Sequence, residues 1–239
     1  MVSVHLTGMC GAGDGILQSG MALFRIVFRP LYVWARGVVE HLLFEVRLGT
    51  HTTGGVELEE FHLEGKDRLG YWPSGWLVLP SILRPDEVSE RDVFADLGSG
   101  KGRVLVQAAS YPFRRVIGVE LSEQLNDIAR ANVHRALPET RASHVFCVRS
   151  DVTDWEIPDD LTVVYMYNPF RGTTFASVVQ RLIRSVDRNP RRVRIIYHVP
   201  REEAYLIGTG RIRLLRTARR WRPTREWSDS TAVSMYELL

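Results

Sequence analysis

The sequence of 239 residues contains little cysteine, little lysine and no long uncharged apolar segment. Cys10 and Cys147 are its only cysteines, too few for a disulfide framework or a thiolate metal cluster, which favours a reducing cytoplasmic location and no bound metal. No basic start followed by an apolar run marks a secretory leader. Arginine and glutamate interrupt the apolar residues 21–48, whereas a spanning helix needs roughly 18 or more nearly uncharged residues, so a transmembrane segment is excluded.

Basic character is concentrated near the end of the chain. Residues 184–225 contain thirteen arginines and carry a net charge of +10, which leaves −7 for the remainder of a chain whose total is +3. A basic segment of this kind can attract nucleic acid. Lysine is confined to Lys66 and Lys101, however, so the arginines also fit a compositional bias on a solvated face. Nucleic acid is therefore the weaker interpretation.

The first 70 residues are predicted to form a helical N-terminal extension. Apolar residues recur at helical spacing after Pro30, and Gly49 follows as a stop. We expect this amphipathic helix to pack on the main domain or on a second copy of the chain. Peripheral contact of residues 21–48 with a membrane surface is the alternative, since arginine and tryptophan suit that interface.

Less regular segments flank this helix. Residues 1–20 are rich in glycine and predict a loose leader, and residues 49–70 predict a connector with a short strand at Val56–Glu60. Pro73 and Ser74 then precede an apolar stretch and predict the capped start of a helix.

Residues 71–239 are predicted to form one α/β domain. Short apolar runs alternate with helical patterns, which is typical of a parallel sheet covered on both faces. The predicted strands are Val93–Leu97, Arg115–Val119, Ser143–Val148, Leu161–Tyr167 and Val193–His198, followed by an antiparallel pair formed by Arg211–Trp221 and Thr231–Leu238. The predicted helices cover 103–109, 122–133 and 174–186. The expected fold is a Rossmann-like, mostly parallel seven-stranded sheet with an antiparallel C-terminal hairpin.

A glycine-rich turn follows the first predicted strand. Glycines let a backbone approach a ligand closely, and the amides of the next helix favour a carboxylate or phosphate. A P-loop is excluded, because Gly102 follows Lys101 where that motif needs serine or threonine. Ala95 also occupies the position of the motif's first glycine, five residues before Gly100. The two-residue spacing of Gly98, Gly100 and Gly102 also differs from the dinucleotide pattern.

Val93–Gly102 resembles motif I of class I S-adenosylmethionine-dependent methyltransferases, an acidic residue followed by alternating glycines. The resemblance implies that S-adenosylmethionine is the cofactor and S-adenosylhomocysteine the product. It implies that Glu120 bonds the ribose hydroxyls, that Asp151 meets the adenine amino group and that Leu121 and Val152 flank the adenine. The implied cofactor-binding set is Asp96, Gly98, Ser99, Gly100, Gly102, Glu120, Leu121, Asp151 and Val152.

The segment Tyr167–Phe170 resembles the [DN]-P-P-[YF] motif of amino-group methyltransferases, although it has one proline where that motif has two. The resemblance implies that Asn168 and Phe170 orient an acceptor nitrogen beside Pro169. His198, at the end of the fifth predicted strand, is the candidate general base. Tyr71 and Trp72 are candidate acceptor contacts.

Asp96–Arg103 is also similar to the motif of bacterial methyltransferase-domain proteins and, more distantly, of small lysine methyltransferases. The expected reaction is therefore methyl transfer to an amine nitrogen of a protein, peptide or small molecule. The alternatives are an oxygen or carbon of a small metabolite, a nucleic acid, or a cofactor-binding module without turnover. The sequence predicts neither the acceptor nor the oligomeric state.

Overall fold

A seven-stranded sheet organises most of the chain, as seen in a computed structural model that describes residues 27–55, 70–219, 222, 227–228 and 230–239. The chain divides into two compact units, Met1–Val46 and Arg47–Leu239. The boundary predicted at residue 70 stays a prediction. The predicted leader at 1–20 and the predicted strand at Val56–Glu60 lie outside the described residues.

In the first unit, helix α1 spans Arg29–Glu40 and continues as a π-helix over His41–Val46. Pro30 lies in its first turn, where a missing backbone N–H costs nothing, so the predicted helix is confirmed. Most of its apolar side chains are exposed, Trp34 to 66%. No helix within the described ranges has the length and apolarity to cross a bilayer.

The second unit alternates strands with helices. Its strands are β1 (Val93–Leu97), β2 (Arg115–Glu120), β3 (His144–Arg149), β4 (Val163–Met166), β5 (Val193–His198), β6 (Ile212–Ala218) and β7 (Val233–Leu238). Its helices are α2 (Val78–Ile82), α3 (Arg103–Ala109), α4 (Glu123–Ala136), α5 (Gly172–Arg188) and α6 (Glu203–Gly208), with short 3-10 turns at Pro85–Glu87 and Leu137–Glu139.

The sheet has the order β3-β2-β1-β4-β5-β7-β6, in which the first five strands are parallel and β7 pairs antiparallel with both β5 and β6. The predicted sheet and its C-terminal hairpin are confirmed. The strand order reverses between β1 and β4. Ligands of open α/β sheets bind at such a point, outside the carboxyl ends of the strands.

Local sequence explains most helix boundaries. Ser122 caps α4 by accepting a hydrogen bond from the Leu125 amide at 3.3 Å. Helix α5 buries its predicted apolar face, with Phe175 and Leu182 each 1% exposed, although it begins at Gly172 and not at Thr174.

One predicted helix start was wrong, and one helix was missed. Ser74 does not cap a helix: α2 begins only at Val78, and the Ser74 hydroxyl instead bonds the Tyr165 hydroxyl at 2.8 Å. Helix α6 was not predicted, because its six residues are too few to show a helical period.

The C-terminal arginines are largely engaged within the protein. Arg188 pairs with Asp159, Arg211 with Asp187, Arg194 with Asp92, Arg216 with Glu87, and both Arg192 and Arg213 with Glu237, while the Arg191 guanidinium bonds the carbonyls of Leu161 and Ser185. These contacts fix the edge strands and 3-10 turn to the sheet. They reduce the basic charge that the sequence offered to a nucleic acid.

The pairing of Glu87 with Arg216 predicts a pH-dependent contribution to stability. Arg216 lowers the pKa of Glu87 to about 2, and its hydrogen bond to the carboxylate is the largest cause. Because the pKa is lower in the folded state, the stabilisation is present above the unfolded value and is lost as pH falls towards 2. We expect Glu87→Gln to lower the free energy of unfolding by about 1 kcal/mol at neutral pH, a value reduced for solvent screening.

Denaturant unfolding at several pH values measures this difference. The exposed Glu90 provides the control, and Glu90→Gln should change stability little at any pH. A Glu87→Gln deficit that persists undiminished at pH 2 would contradict the ion-pair explanation.

Candidate active site

The turn after β1 forms a narrow cradle at the reversal of strand order. Gly98, Gly100 and Gly102 have φ angles of 80°, 53° and 80°, a region that disfavours residues with a side chain. The amides of Gly98 and Ser99 donate to the Val119 carbonyl at 2.9 and 3.1 Å, which ties the turn to β2. The turn is therefore fixed before any ligand binds.

Close neighbours also exclude side chains at two of these glycines. A Cβ on Gly98 would overlap the Pro169 ring, and a Cβ on Gly100 would overlap the Tyr71 ring. The cradle thus contacts the loop after β4 on one side and the segment before α2 on the other. Gly102 has a different role, as the N-cap of α3 against Ala129 of α4.

Two buried carboxylates lie at the ends of β1 and β2. Glu120 accepts hydrogen bonds from the Gly100 amide at 2.8 Å and the Ser122 amide at 2.9 Å. Burial raises the pKa of Glu120. The pKa of Asp96, which is 3% exposed, is raised well above its usual range by burial and then by the charge of Glu120. A cationic ligand would relieve both effects.

These carboxylates open into one cavity of about 970 Å³, part of which is open to solvent. Its lining includes eleven of the predicted site residues: Tyr71, Trp72, Asp96, Gly98, Ser99, Glu120, Leu121, Asp151, Val152, Pro169 and Phe170. Gly100, Gly102, Asn168 and His198 do not line it. Ser74, Ser150, Tyr165, Tyr167 and Thr174 line it without having been predicted.

The cavity fits S-adenosylmethionine on the chemistry of its lining. The desolvated carboxylates suit a ligand with an ammonium group and ribose hydroxyl donors, and the glycines leave room for close approach. Asp151 also forms a local turn, since its carboxylate accepts from the amide and hydroxyl of Thr153 at 2.9 and 2.7 Å. The individual cofactor contacts stay predictions.

Arg103 and Lys101 form a polar clamp, which holds the segments around Thr52 and Ser74 against the cradle. The Arg103 guanidinium, 7% exposed, donates to the Thr52 hydroxyl at 2.6 Å and the Ser74 carbonyl at 2.9 Å. Lys101 donates to the Thr53 carbonyl at 3.0 Å and lies 5.4 Å from the centre of the Tyr71 ring. Tyr71 and Trp72 are thereby positioned over the cavity.

Asn168 has a structural environment that differs from the predicted acceptor contact. Its amide donates to the Val199 carbonyl at 2.6 Å and accepts from the Tyr197 hydroxyl at 2.9 Å. Among the described residues, Asn168 and Val199 are the two that adopt positive φ without being glycine, 42° and 53°. The side chain therefore locks two strained loops together, and its neighbours Tyr167, Pro169 and Phe170 line the cavity.

Changing the Asn168 amide to a carboxylate is expected to disrupt this lock. Asn168→Asp removes the donor to Val199 and places a charge against its carbonyl, so we expect a loss of about 2 kcal/mol of stability. Asn189→Asp is the control, because Asn189 makes the same kind of bond to the Asp159 carbonyl at an exposed site. Denaturant unfolding compares the two variants, and equal losses would contradict the assigned role of Asn168.

Tyr165 and Tyr167 link the cavity to His198. The Tyr165 hydroxyl lies 3.2 Å from His198 Nδ1, and the Tyr167 ring stacks on the imidazole at 4.2 Å between centroids. Tyr165 was missed because it lies within an apolar strand and is 1% exposed, as a core residue would be. The signal that could have found it is its spacing of two residues from Tyr167, because side chains two residues apart in extended backbone point to the same side.

The part of the chain that the structure describes contains no cluster of side chains that could bind a metal ion. No group of three or more histidine, cysteine, aspartate or glutamate side chains is arranged to hold a metal ion there.

The sheet order, the glycine cradle after β1 and the acid at the end of β2 are features that this chain shares with class I S-adenosylmethionine-dependent methyltransferases. Residues 94–189 match the family described as "Methyltransferase domain". A protein-lysine N-methyltransferase from Saccharolobus islandicus is 31% identical over 98 residues, which are 41% of this chain. The match spans 58% of the length of that relative.

A solved structure has a similar fold. A methyltransferase described as S-adenosylmethionine-dependent, from Methanosarcina mazei, aligns with a TM-score of 0.50 at 11% identity, covering 64% of this chain and 95% of its own. An RNA methyltransferase from Salinibacter ruber, solved with S-adenosylhomocysteine, has a TM-score of 0.48 at 23% identity, covering 70% of this chain and 94% of its own. At 11% identity the likeness to the Methanosarcina structure is one of fold alone.

Proposed function

We propose that the second unit binds S-adenosylmethionine in this cavity and transfers its methyl group to an amine nitrogen of a protein, peptide or small molecule. The observation that carries the proposal is that two sets of side chains line one cavity: an acidic set, called here its acidic end, and a set from the loop after β4, called here its aromatic end. Asp96 and Glu120 form the first, and Tyr167, Pro169 and Phe170 belong to the second. Contact between Gly98 and Pro169 joins the two ends.

The acidic end is assigned to the cofactor. S-adenosylmethionine supplies an electrophilic methyl group on a sulfonium centre. Asp96 and Glu120 would bind its ammonium group and ribose, while Leu121 and Val152 would enclose the adenine. The clamp made by Arg103 and Lys101 would hold Tyr71 over the bound molecule and limit access of water.

The aromatic end is assigned to the acceptor. Transfer from a sulfonium is displacement at carbon, so alignment of the acceptor supplies much of the rate. Aromatic faces attract an ammonium group and the positive charge that develops on a nitrogen as it is methylated. Trp72, 61% exposed at the cavity, offers a surface for an amine on a larger molecule. The named activity of the lysine-methylating relative supports the same acceptor class.

The assignment of Asn168 changes within this proposal. Its amide is engaged with Val199 and Tyr197, so we assign it the positioning of Tyr167 and Pro169. Direct acceptor contact falls to Tyr167 and Phe170. A cytoplasmic location, predicted from the cysteine content, belongs to the same proposal.

Transfer of a labelled methyl group tests the function. The protein is incubated with methyl-labelled S-adenosylmethionine and an extract of the native host, which is then separated into protein, nucleic acid and small molecules. We expect acid-resistant label on amines in the protein or small-molecule fraction. Label in nucleic acid, or on oxygen or carbon, would overturn the amine assignment. Cofactor binding without any transfer would favour a regulatory module.

A further inference from the structure

We propose that Tyr165 and His198 form a proton relay that removes a proton from the acceptor amine before methyl transfer. The inference rests on the proposed function. An amine is mostly protonated at neutral pH, and a protonated nitrogen has no lone pair for attack on carbon. An enzyme with this acceptor therefore needs a route for the proton.

The relay is defined by a line of three side chains. Ser74 Oγ lies 2.8 Å from the Tyr165 hydroxyl, which in turn lies 3.2 Å from His198 Nδ1. Ser74 and Tyr165 both line the cavity. His198 lies behind them at the end of β5, 7% exposed, and does not line the cavity. The Tyr165 hydroxyl therefore borders the cavity and lies within hydrogen-bond distance of His198 at the same time.

The donor and acceptor positions of its hydroxyl group allow Tyr165 to carry a proton. A phenol has one donor and two acceptor positions. When its hydrogen points to His198 Nδ1, Ser74 donates to one lone pair and the other is open to an amine N–H. The neutral imidazole then carries its hydrogen on Nε2, because Nδ1 accepts.

The proposed step conserves atoms and charge. The ammonium N–H bond breaks as a proton passes to the Tyr165 oxygen, while the Tyr165 O–H bond breaks and its proton forms a bond to His198 Nδ1. The products are a neutral amine, an unchanged phenol and an imidazolium. The amine lone pair then forms the new bond to the methyl carbon.

The surroundings favour a concerted transfer. Burial raises the pKa of Tyr165 well above its usual value, with Asp96 of β1 and Tyr167 as smaller causes, so a free phenolate is disfavoured. Arg201, after β5, lies near Tyr167 and lowers the pKa of that phenol, although burial raises it more. His198 acts through Tyr165, whose hydroxyl takes the proton from the amine that Tyr167 and Phe170 orient.

Initial rates of label transfer at saturating S-adenosylmethionine test the relay. We expect Tyr165→Phe and His198→Gln each to lower the rate about 100-fold at neutral pH, as expected for loss of general base catalysis. Both deficits should shrink to about 10-fold or less near pH 10, where an amine with a pKa of about 10.4 is partly neutral without assistance. Tyr111→Phe is the matched control, because it removes a buried hydroxyl bonded to the Leu83 carbonyl away from the cavity.

A second measurement is independent of the acceptor. Nitrogen-15 NMR of histidine-labelled protein, with the signal assigned through His198→Gln, should show an unprotonated Nδ1 and a protonated Nε2 in the wild type. Tyr165→Phe should change the Nδ1 shift, while Tyr111→Phe should not. Protonation at Nδ1 in the neutral ring would overturn the relay.

The outcomes separate the relay from the function on which it rests. No label transfer by the wild type contradicts the proposed function. Transfer by the wild type with an unimpaired Tyr165→Phe variant contradicts the relay alone, as does a deficit of Tyr165→Phe that stays the same at every pH.

Discussion

Replacing Glu120 with alanine is expected to weaken binding of S-adenosylmethionine about 1,000-fold, which corresponds to about 4 kcal/mol. The Gly100 and Ser122 amides lose a buried charged acceptor, and each such loss costs about 1–3 kcal/mol. The cradle then loses one of its ties to the end of β2. The carboxylate assigned to the ribose hydroxyls disappears at the same time. Calorimetric titration measures the change in affinity.

Glu123 provides the control for this substitution. It lies three residues further on, in the first turn of α4, where it pairs with Arg149 and is 59% exposed. Glu123→Ala should leave affinity for S-adenosylmethionine nearly unchanged. Thermal unfolding of both variants establishes that they fold. Equal affinities of the Glu120 and Glu123 variants would contradict the assignment of Glu120 to the cofactor.

Replacing Gly98 with alanine is expected to cost about 3 kcal/mol of stability and to abolish cofactor binding at millimolar concentration. Two effects add. A side chain at a φ of 80° costs about 1–2 kcal/mol, and the new Cβ overlaps the Pro169 ring. Pro169 must then move, which separates the cofactor end of the cavity from the acceptor end. Denaturant unfolding and calorimetry measure the two consequences.

Gly210 separates strain from overlap. Its φ of 68° is close to that of Gly98, but a Cβ there meets no atom within 4 Å. Gly210→Ala should therefore cost only about 1 kcal/mol and leave cofactor binding intact. If the two alanine variants lost the same stability, the contact between Gly98 and Pro169 would have no energetic importance.

The sheet and its cofactor end could be predicted because local patterns determine them. Buried parallel strands such as Val93–Leu97 are continuous apolar runs, and the carboxyl ends of such strands meet at one edge. Asp96 is the penultimate residue of this strand, Gly98 follows the strand directly, and Glu120 ends the next strand. Spacing along the chain was therefore enough to place the three near one another.

The acceptor end could not be predicted to the same degree, because it depends on contacts between distant segments. The role of the Asn168 amide follows from a bond to Val199, 31 residues away. The hydroxyl of Tyr165 meets Ser74 across 91 residues, and no local pattern distinguishes that tyrosine from a core residue. Ser74 itself was assigned to a helix cap for the same reason.

The clamp over the cavity is a further case of long-range placement. The position of Arg103 directly after the glycines placed it in the predicted motif. Its hydrogen bond to Thr52, 51 residues away in the sequence, could not be predicted from that position. Only the fold brings the segments around Thr52 and Ser74 to the same guanidinium.

Titration of the wild-type protein with S-adenosylmethionine tests the central claim most directly. We expect saturable binding of one molecule per chain, which S-adenosylhomocysteine competes with and which Glu120→Ala abolishes. Absence of binding by the folded wild-type protein, shown to be folded by a cooperative unfolding transition, would contradict the assignment of the cavity to this cofactor.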